Sequence, residues 1–342
     1  MQQIRYNPQK TWARGDFSFD EVVVKLDQKS IDDIARVVES YSTLQGEASD
    51  EAIKNAFQAG KVKTPILKEQ IEEAKKKYIH QGPGLFITEG LSQGIEKAYW
   101  RHAFVVLSYQ LGHFLPTDGI KIVKEVKDRG RTLGQPGVHY SETKQGGGFH
   151  TDGAEFPMPV PETFALMCVQ QGIKGGAFQA MSAYSVHQRL CEKVESEIVA
   201  ELFKPFHVDL RGHGKAGEVT TQKPIFFQYG KDKAEKHLGF TYLRKYIDVG
   251  HSYSHIPDLT NKQILALDAL DTILEEPQSD LIAQTMMQPG QTGFFNNMMI
   301  IHARQEFMDG EIPEERRLLL RSWNRARGIS DLRCPTLSEL EL

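Results

Sequence analysis

A run of three glycines leads into a histidine and a carboxylate two residues apart: Gly146-Gly147-Gly148-Phe149-His150-Thr151-Asp152-Gly153-Ala154-Glu155-Phe156. In a β-strand, side chains at i and i+2 point to the same face. His150 and Asp152 therefore project together, about one metal ion's width apart, and the glycines before them allow close backbone approach. Two ligands from one short segment do not complete a site. The third candidate, His302, lies far downstream, at the end of the apolar run that starts at Phe294. The plain alternatives are a strand-edge histidine beside a solvated aspartate and, for His302, a satisfied core histidine. His80, His102, His113, His187 and His237 have no partner visible in the sequence.

Two histidines and one carboxylate on one face of a metal, with the other positions open, form the ligand set of non-haem Fe(II) oxygenases. Downstream of His302, Arg317 and Arg321 are four residues apart, with Leu319 between them and Trp323 beyond. In a strand these four share a face. Two like charges on an otherwise apolar face need anionic partners. A carboxylate held by the guanidinium fork is the natural one, and a structural ion pair to Asp or Glu is the alternative.

The rest of the chain sets the frame. Its net charge of -4 excludes a global basic field for nucleic acid or an anionic membrane. Cys168, Cys191 and Cys334 are odd in number and far apart. They form neither a zinc pattern nor a disulfide framework, which favours the cytoplasm. No apolar run reaches spanning length, and Met1 to Gly15 lacks an apolar signal core.

Periodicity and capping signals predict helices over 30–41, 49–58 and from Thr64 onward, over 92–111, 184–203 and 264–274. Ser30 and Asp33 have capping-box spacing, as do Thr260 and Gln263. Short strands punctuated by Gly and Pro are expected over 84–90, 120–126, 164–169, after Gly175-Gly176, over 206–210, 225–229, 240–247, 293–303 and 318–324. Many short strands with interposed helices predict a mainly β chain with helical additions (α+β), built on a barrel or jelly roll. One domain over 1–342 is expected, with a helical N-terminal part, 1–80, packed on the core.

With these segments in place, the chain resembles the taurine dioxygenase and clavaminate synthase-like branch of the Fe(II)/2-oxoglutarate-dependent oxygenases. The resemblance runs from about Gly84 to Arg325. Its segments are Gly84-Leu85-Phe86-Ile87, Val126-Lys127-Asp128-Arg129-Gly130, Phe149-His150-Thr151-Asp152-Gly153-Ala154, Gly175-Gly176, Tyr242-Leu243-Arg244-Lys245-Tyr246-Ile247, Asn296-Asn297 with His302-Ala303-Arg304, and Arg316-Arg317-Leu318-Leu319-Leu320-Arg321. It implies a double-stranded β-helix core over 84–325, with Fe(II) held by His150, Asp152 and His302. It implies that Arg317 binds the distal carboxylate of 2-oxoglutarate, and that Arg321 and Asn297 face the substrate. Relatives place Ser or Thr two residues after the Gly-Gly pair. Here Phe178 stands at that position, and Ser182 or another hydroxyl is the candidate replacement. The acid at Asp152 argues against a halogenase.

The activity so implied is dioxygenase chemistry with O₂ and 2-oxoglutarate as cosubstrates, releasing succinate and CO₂ and hydroxylating an unactivated C–H bond. Desaturation or cyclisation by the same chemistry is a second reading. A non-catalytic sensor of metal and 2-oxoglutarate and a zinc hydrolase are readings from other classes. Arg321 is expected to meet a substrate carboxylate, and Glu142 or Glu155 an amino group. The polar segment with Gln135, His139, Ser141 and Glu142 is expected to cover the substrate. The partner so described is a small amino-acid-like molecule, with Phe156, Phe178 and Trp323 as candidate apolar wall.

Overall fold

The computed structural model describes residues 4, 6–117, 119–132, 138, 140–230, 236–327 and 333–340. Two sheets face each other. The larger has the strand order Val23–Lys25, Leu85–Glu89, Thr292–Asn296, Thr163–Gln170, Leu318–Arg325, His113–Leu115, and Lys124–Val126 also pairs with Leu318–Arg325. The smaller runs Ala283–Thr285, Phe178–Ser182, Ile300–Arg304, Gly147–His150. Within the two sheets all pairings are antiparallel except Val23–Lys25 with Leu85–Glu89. This is the expected sheet-rich jelly-roll core with helical additions.

Aromatic side chains pack on both faces of the larger sheet. Phe86 stacks on Phe294 at 4.7 Å, Phe164 on Phe295 at 4.6 Å, and Phe178 packs against Phe295 at 4.7 Å. All five rings are buried. Each removes roughly 150–250 Å² from water, and pairs at these spacings add a further share to the core's stability.

The N-terminal helices form as their stripes require, but one cap differs. Helix Gln28–Tyr41 buries Ile31, Ile34, Val37 and Val38. Its cap is Asp27, whose side chain accepts from the Ser30 N–H at 2.7 Å. Asp33 is no part of that cap. Its carboxylate accepts the Ile66 and Leu67 N–H groups at 2.9 and 3.1 Å, so it caps helix Pro65–Ala74 instead. Thr260 and Gln263 do make the expected capping box on helix Asn261–Leu274.

Three other expectations are corrected. The run 92–111 is helical only over Trp100–Tyr109, after two short 3₁₀ turns. The run 184–203 breaks into Ala183–Lys193 and Ser196–Glu201, because Val194 is extended. The run 240–247 is not a strand. The chain leaves the strand His237–Phe240 and forms helix Arg244–His251. Arg244 there pairs with Asp248 one turn on at 2.8 Å, and with Asp268 and Asp271 at 2.9 and 2.7 Å, which is helical spacing.

The break in 293–303 shapes the site. Two strands stand there, Thr292–Asn296 in the larger sheet and Ile300–Arg304 in the smaller. The turn between them passes the chain from one sheet to the other and places Asn297 at the crossing.

Candidate metal centre

The register of the smaller sheet assembles the ligands. His302 pairs directly with His150 on one side and with Ala180 on the other. The ring centroids of His150 and His302 are 4.5 Å apart. The strand ends at His150, so Asp152 reaches the site from the turn that follows rather than from the strand. Gly153, at φ +70°, makes that turn, and a Cβ there would lie 2.7 Å from the Pro161 ring. One ligand atom from each of His150, Asp152 and His302 lies within 4.8 Å of the others. Both imidazole Nε2 atoms are 3.9 Å from Asp152 Oδ1.

Orientation comes from surrounding groups. His150 donates Nδ1–H to the Gly148 carbonyl at 2.9 Å, which leaves Nε2 for the metal side. Phe164 and Phe178 flank His302, with ring centroids 4.5 and 5.8 Å away. Burial, then the nearby His150, pushes the His302 imidazole down to about 3, so it is neutral as a ligand must be. Burial alone would raise the Asp152 carboxyl. Arg321, the two histidines and the Trp323 hydrogen bond instead hold it below the usual carboxylate range. Two imidazoles and an ionised carboxylate, pre-set at one point, fit Fe(II) with open positions.

Asp152 is clamped from four directions. Its oxygens accept from Arg321 Nη1 at 2.8 Å and Trp323 Nε1 at 2.7 Å. The Asn297 side chain takes the Asp152 N–H at 2.9 Å and donates to the Asp152 carbonyl at 2.9 Å and the Pro161 carbonyl at 2.8 Å. Asn297 is fully buried. This corrects the expectation that Asn297 faces the substrate: its amide is committed to the backbone of the metal ligand. Replacing Asn297 with Ala should lower Fe(II) affinity by roughly 10–100-fold, as loss of a ligand's supporting partner does. An iron titration of folded Asn297→Ala checks this, and unchanged affinity rules out the clamp.

A cavity of about 890 Å³ opens from the triad and is lined by His150, Asp152, Ser141, Glu155, Arg321 and Trp323 among others. Arg321 and Trp323 share the cavity face of their strand, and the Arg321 guanidinium lies 4.9 Å from the indole. The structural ion pair read as an alternative for Arg321 is therefore made, with the metal carboxylate itself. Phe156 lines the cavity, whereas Phe178 packs in the core between Phe295 and His302. Gln135 and His139 lie outside the described residues. Glu142 faces Arg131 at 3.4 Å and Arg129 at 3.9 Å, so it is a loop ion pair rather than a free acceptor. Ser182 donates to the Lys10 carbonyl and caps helix Ala183–Lys193, so its hydroxyl replaces nothing at Phe178.

Arg317 stands just before the strand Leu318–Arg325, buried, with its guanidinium 5.1 Å from the Phe307 ring. Burial and the like charge of Arg304 push it down to about 10. Its Nη1 is buried without a hydrogen-bond partner among the described residues. A buried, charged nitrogen left open in this way calls for an anion.

Several cavity residues were missed from the sequence. Arg211, His213 and Tyr246 also line the cavity, and Arg211 Nη1 donates to the Tyr246 hydroxyl at 2.9 Å. Lys223 is not itself in the lining, but it is fully buried and donates to the carbonyl of the lining residue Phe156 at 2.9 Å. Burial pushes it down to about 8, opposed by the charge of Glu155. Nothing local marks Lys223 in the sequence, since its strand is Thr220-Thr221-Gln222-Lys223.

Comparison with known proteins agrees with this geometry. The family described as "Taurine catabolism dioxygenase TauD, TfdA family" matches residues 91–323. FR-33289 synthase of Streptomyces rubellomurinus (strain ATCC 31215) is 23% identical over 250 residues, 72% of this chain and 70% of that one. Among solved structures, asparagine oxygenase with Fe(II), 2S,3S-3-hydroxyasparagine and succinate superposes with a TM-score of 0.62 at 16% identity, covering 89% of this chain and 93% of that one. The non-heme iron oxygenase OrfP with Fe and alpha-ketoglutaric acid gives 0.62 at 14% identity, covering 88% and 93%.

Proposed function

The chain belongs to the taurine dioxygenase TauD/TfdA family, and from that premise we propose that it hydroxylates a small amino acid or amino-acid derivative. The protein is an Fe(II)- and 2-oxoglutarate-dependent oxygenase with His150, Asp152 and His302 as its iron site. When bound, iron and 2-oxoglutarate supply the oxidising chemistry: O₂ is consumed, 2-oxoglutarate leaves as succinate and CO₂, and one oxygen atom goes to the substrate.

The chain's own residues bind and orient. His150 and Asp152 of the triad line the cavity, so iron held there would be open to it, and its volume suits a small metabolite. Arg317 is proposed to take the distal carboxylate of 2-oxoglutarate. The observation that carries the substrate reading is Arg321, a cation that touches the metal carboxylate and lines the cavity at once. A substrate carboxylate placed on that guanidinium sits next to the metal, so the carbons beside it are brought within reach. Glu155, on the same cavity wall, is proposed to meet the amino group, and Ser141 to contact the substrate from the loop side. Phe156 and Trp323 give the cavity an apolar face that limits water near the reacting carbon. Asparagine and arginine derivatives occupy the solved asparagine oxygenase and OrfP, which supports an amino-acid ligand here.

The test is Arg321→Ala assayed at saturating Fe(II). The substrate KM should rise by roughly tenfold or more, the loss expected for one charge-assisted hydrogen bond, with 2-oxoglutarate binding nearly unchanged. If the variant loses 2-oxoglutarate alone, Arg321 is a cosubstrate ligand and the amino-acid reading loses its support.

The same proposal takes 1–342 as one domain around an oxygenase core at 84–325, supported by a buried cluster that runs from Ile31 and Leu67 to Phe294 and Trp323. Three unpaired cysteines support the cytoplasm as its compartment. No helix among the described residues is long and apolar enough to cross a membrane.

A further inference from the structure

The geometry points to Arg304 as a second anchor for the distal carboxylate of 2-oxoglutarate, acting together with Arg317. This rests on the reading of Arg317 given above and adds a residue to it.

Arg304 follows His302 by two positions in the strand Ile300–Arg304, so both side chains leave the strand on the same face. Its cross-strand partner in the smaller sheet is Phe178. Phe178 offers no hydrogen bond, so this end of the barrel has no hydroxyl from that position to meet an anion. Across the barrel end stands Arg317, set by Gly176. That glycine has φ +82°, and a Cβ on it would come within 3.0 Å of Arg317 Nε. Both guanidiniums lie against a single ring, that of Phe307, at 4.6 Å for Arg304 and 5.1 Å for Arg317.

The hydrogen bonds show what is left over. Arg304 Nη2 donates to the Gln145 carbonyl and, at 3.5 Å, to the Tyr140 carbonyl. Its Nη1 is buried and has no partner among the described residues, and the same holds for Nη1 of Arg317. Two acids, Asp128 and Asp309, lie near enough for their charges to act on Arg304. Asp128 accepts the Gly130 N–H at 3.0 Å and Asp309 the Arg317 backbone N–H at 2.7 Å, and neither forms an ion pair with either guanidinium among the described residues. Two like charges buried around one ring, each with an open donor, repel unless an anion lies with them. A carboxylate has two oxygens and accepts from two forks at once. The fold thus supplies with a second arginine what Phe178 does not supply.

Arg304 also holds the 140–145 loop through its carbonyl contacts, so loss of activity alone would not distinguish the roles. The measurement is anaerobic binding to the Fe(II)-loaded protein, read by the charge-transfer absorption of a metal-bound 2-oxo acid. Two probes are titrated: 2-oxoglutarate, and 2-oxopentanoate, which has the same chain length without the distal carboxylate. Arg304→Ala should bind 2-oxoglutarate roughly 10–100-fold more weakly, the range for one charge-assisted contact, and 2-oxopentanoate as wild type does. Arg304→Lys, which keeps the charge but not the fork, should fall between. Unchanged 2-oxoglutarate affinity in Arg304→Ala overturns the assignment. Equal weakening of both probes also overturns it, because a loop-holding role predicts that. If wild type itself shows no preference for 2-oxoglutarate over 2-oxopentanoate, the reading of Arg317 fails first, and the two failures are told apart.

Discussion

His302→Ala and Asp152→Ala each abolish Fe(II) binding and with it all 2-oxoglutarate turnover, while the protein still folds. The ligands sit on a sheet register and a turn that are complete without metal: His302 is placed by pairing with His150 and Ala180, and Asp152 by Asn297. Removing either ligand leaves two donors, too few to hold Fe(II) against water. The two variants differ in what else they disturb. Asp152→Ala strips Arg321 Nη1 and Trp323 Nε1 of their acceptor, and Trp323 is buried. That costs about 1–3 kcal/mol of stability for an unsatisfied buried donor. His302→Ala opens a gap in the aromatic slot between Phe164 and Phe178. Thermal melts together with iron content separate these effects. A folded variant that keeps wild-type iron and activity removes the triad from the account.

Arg317→Ala lowers 2-oxoglutarate affinity by more than about a hundredfold, because losing one side of a buried charge pair costs about 3–5 kcal/mol. Arg317 is buried, carries an open donor, and has its backbone N–H fixed by Asp309, so the guanidinium is pre-placed and little affinity is lost to ordering it. Metal binding is expected to survive, since no ligand contacts Arg317 in the described structure. Anaerobic titration of Fe(II) and then 2-oxoglutarate reads both. Joint loss of the two indicates misfolding, and unchanged 2-oxoglutarate affinity rejects the role.

Much of this site was legible in the sequence, for physical reasons that also mark the limits. The two-residue spacing of His150 and Asp152 and the apolar strand before His302 are local patterns, and sheet pairing carries them into space directly. The four-residue spacing of Arg317 and Arg321 was legible only in part: Arg321 lies in the strand and lines the cavity, whereas Arg317 stands just before the strand, with a register irregularity at Leu318/Leu319 between them. Asn297 was misread because its meaning depends on a sheet crossing: the apolar run 293–303 looks continuous, and nothing local marks the turn that turns Asn297 toward Asp152. The run 240–247 was misread as strand because Phe240, Tyr242 and Tyr246 share a period of two, while helix Arg244–His251 takes its second half. The competing signal, Arg244 with Asp248 four residues on, was present. Arg211, His213 and Tyr246 reach the cavity through tertiary packing from remote elements, and no local spacing encodes that.

The most direct measurement is substrate-dependent succinate formation under Fe(II) and air, across a panel of free amino acids and the same compounds with the α-carboxylate converted to an amide. The account predicts that at least one free amino acid raises succinate above the substrate-free rate, that its amide does not, and that His302→Ala is silent with both. Succinate raised equally by acids and amides, or raised only by compounds without an anionic group, would contradict it.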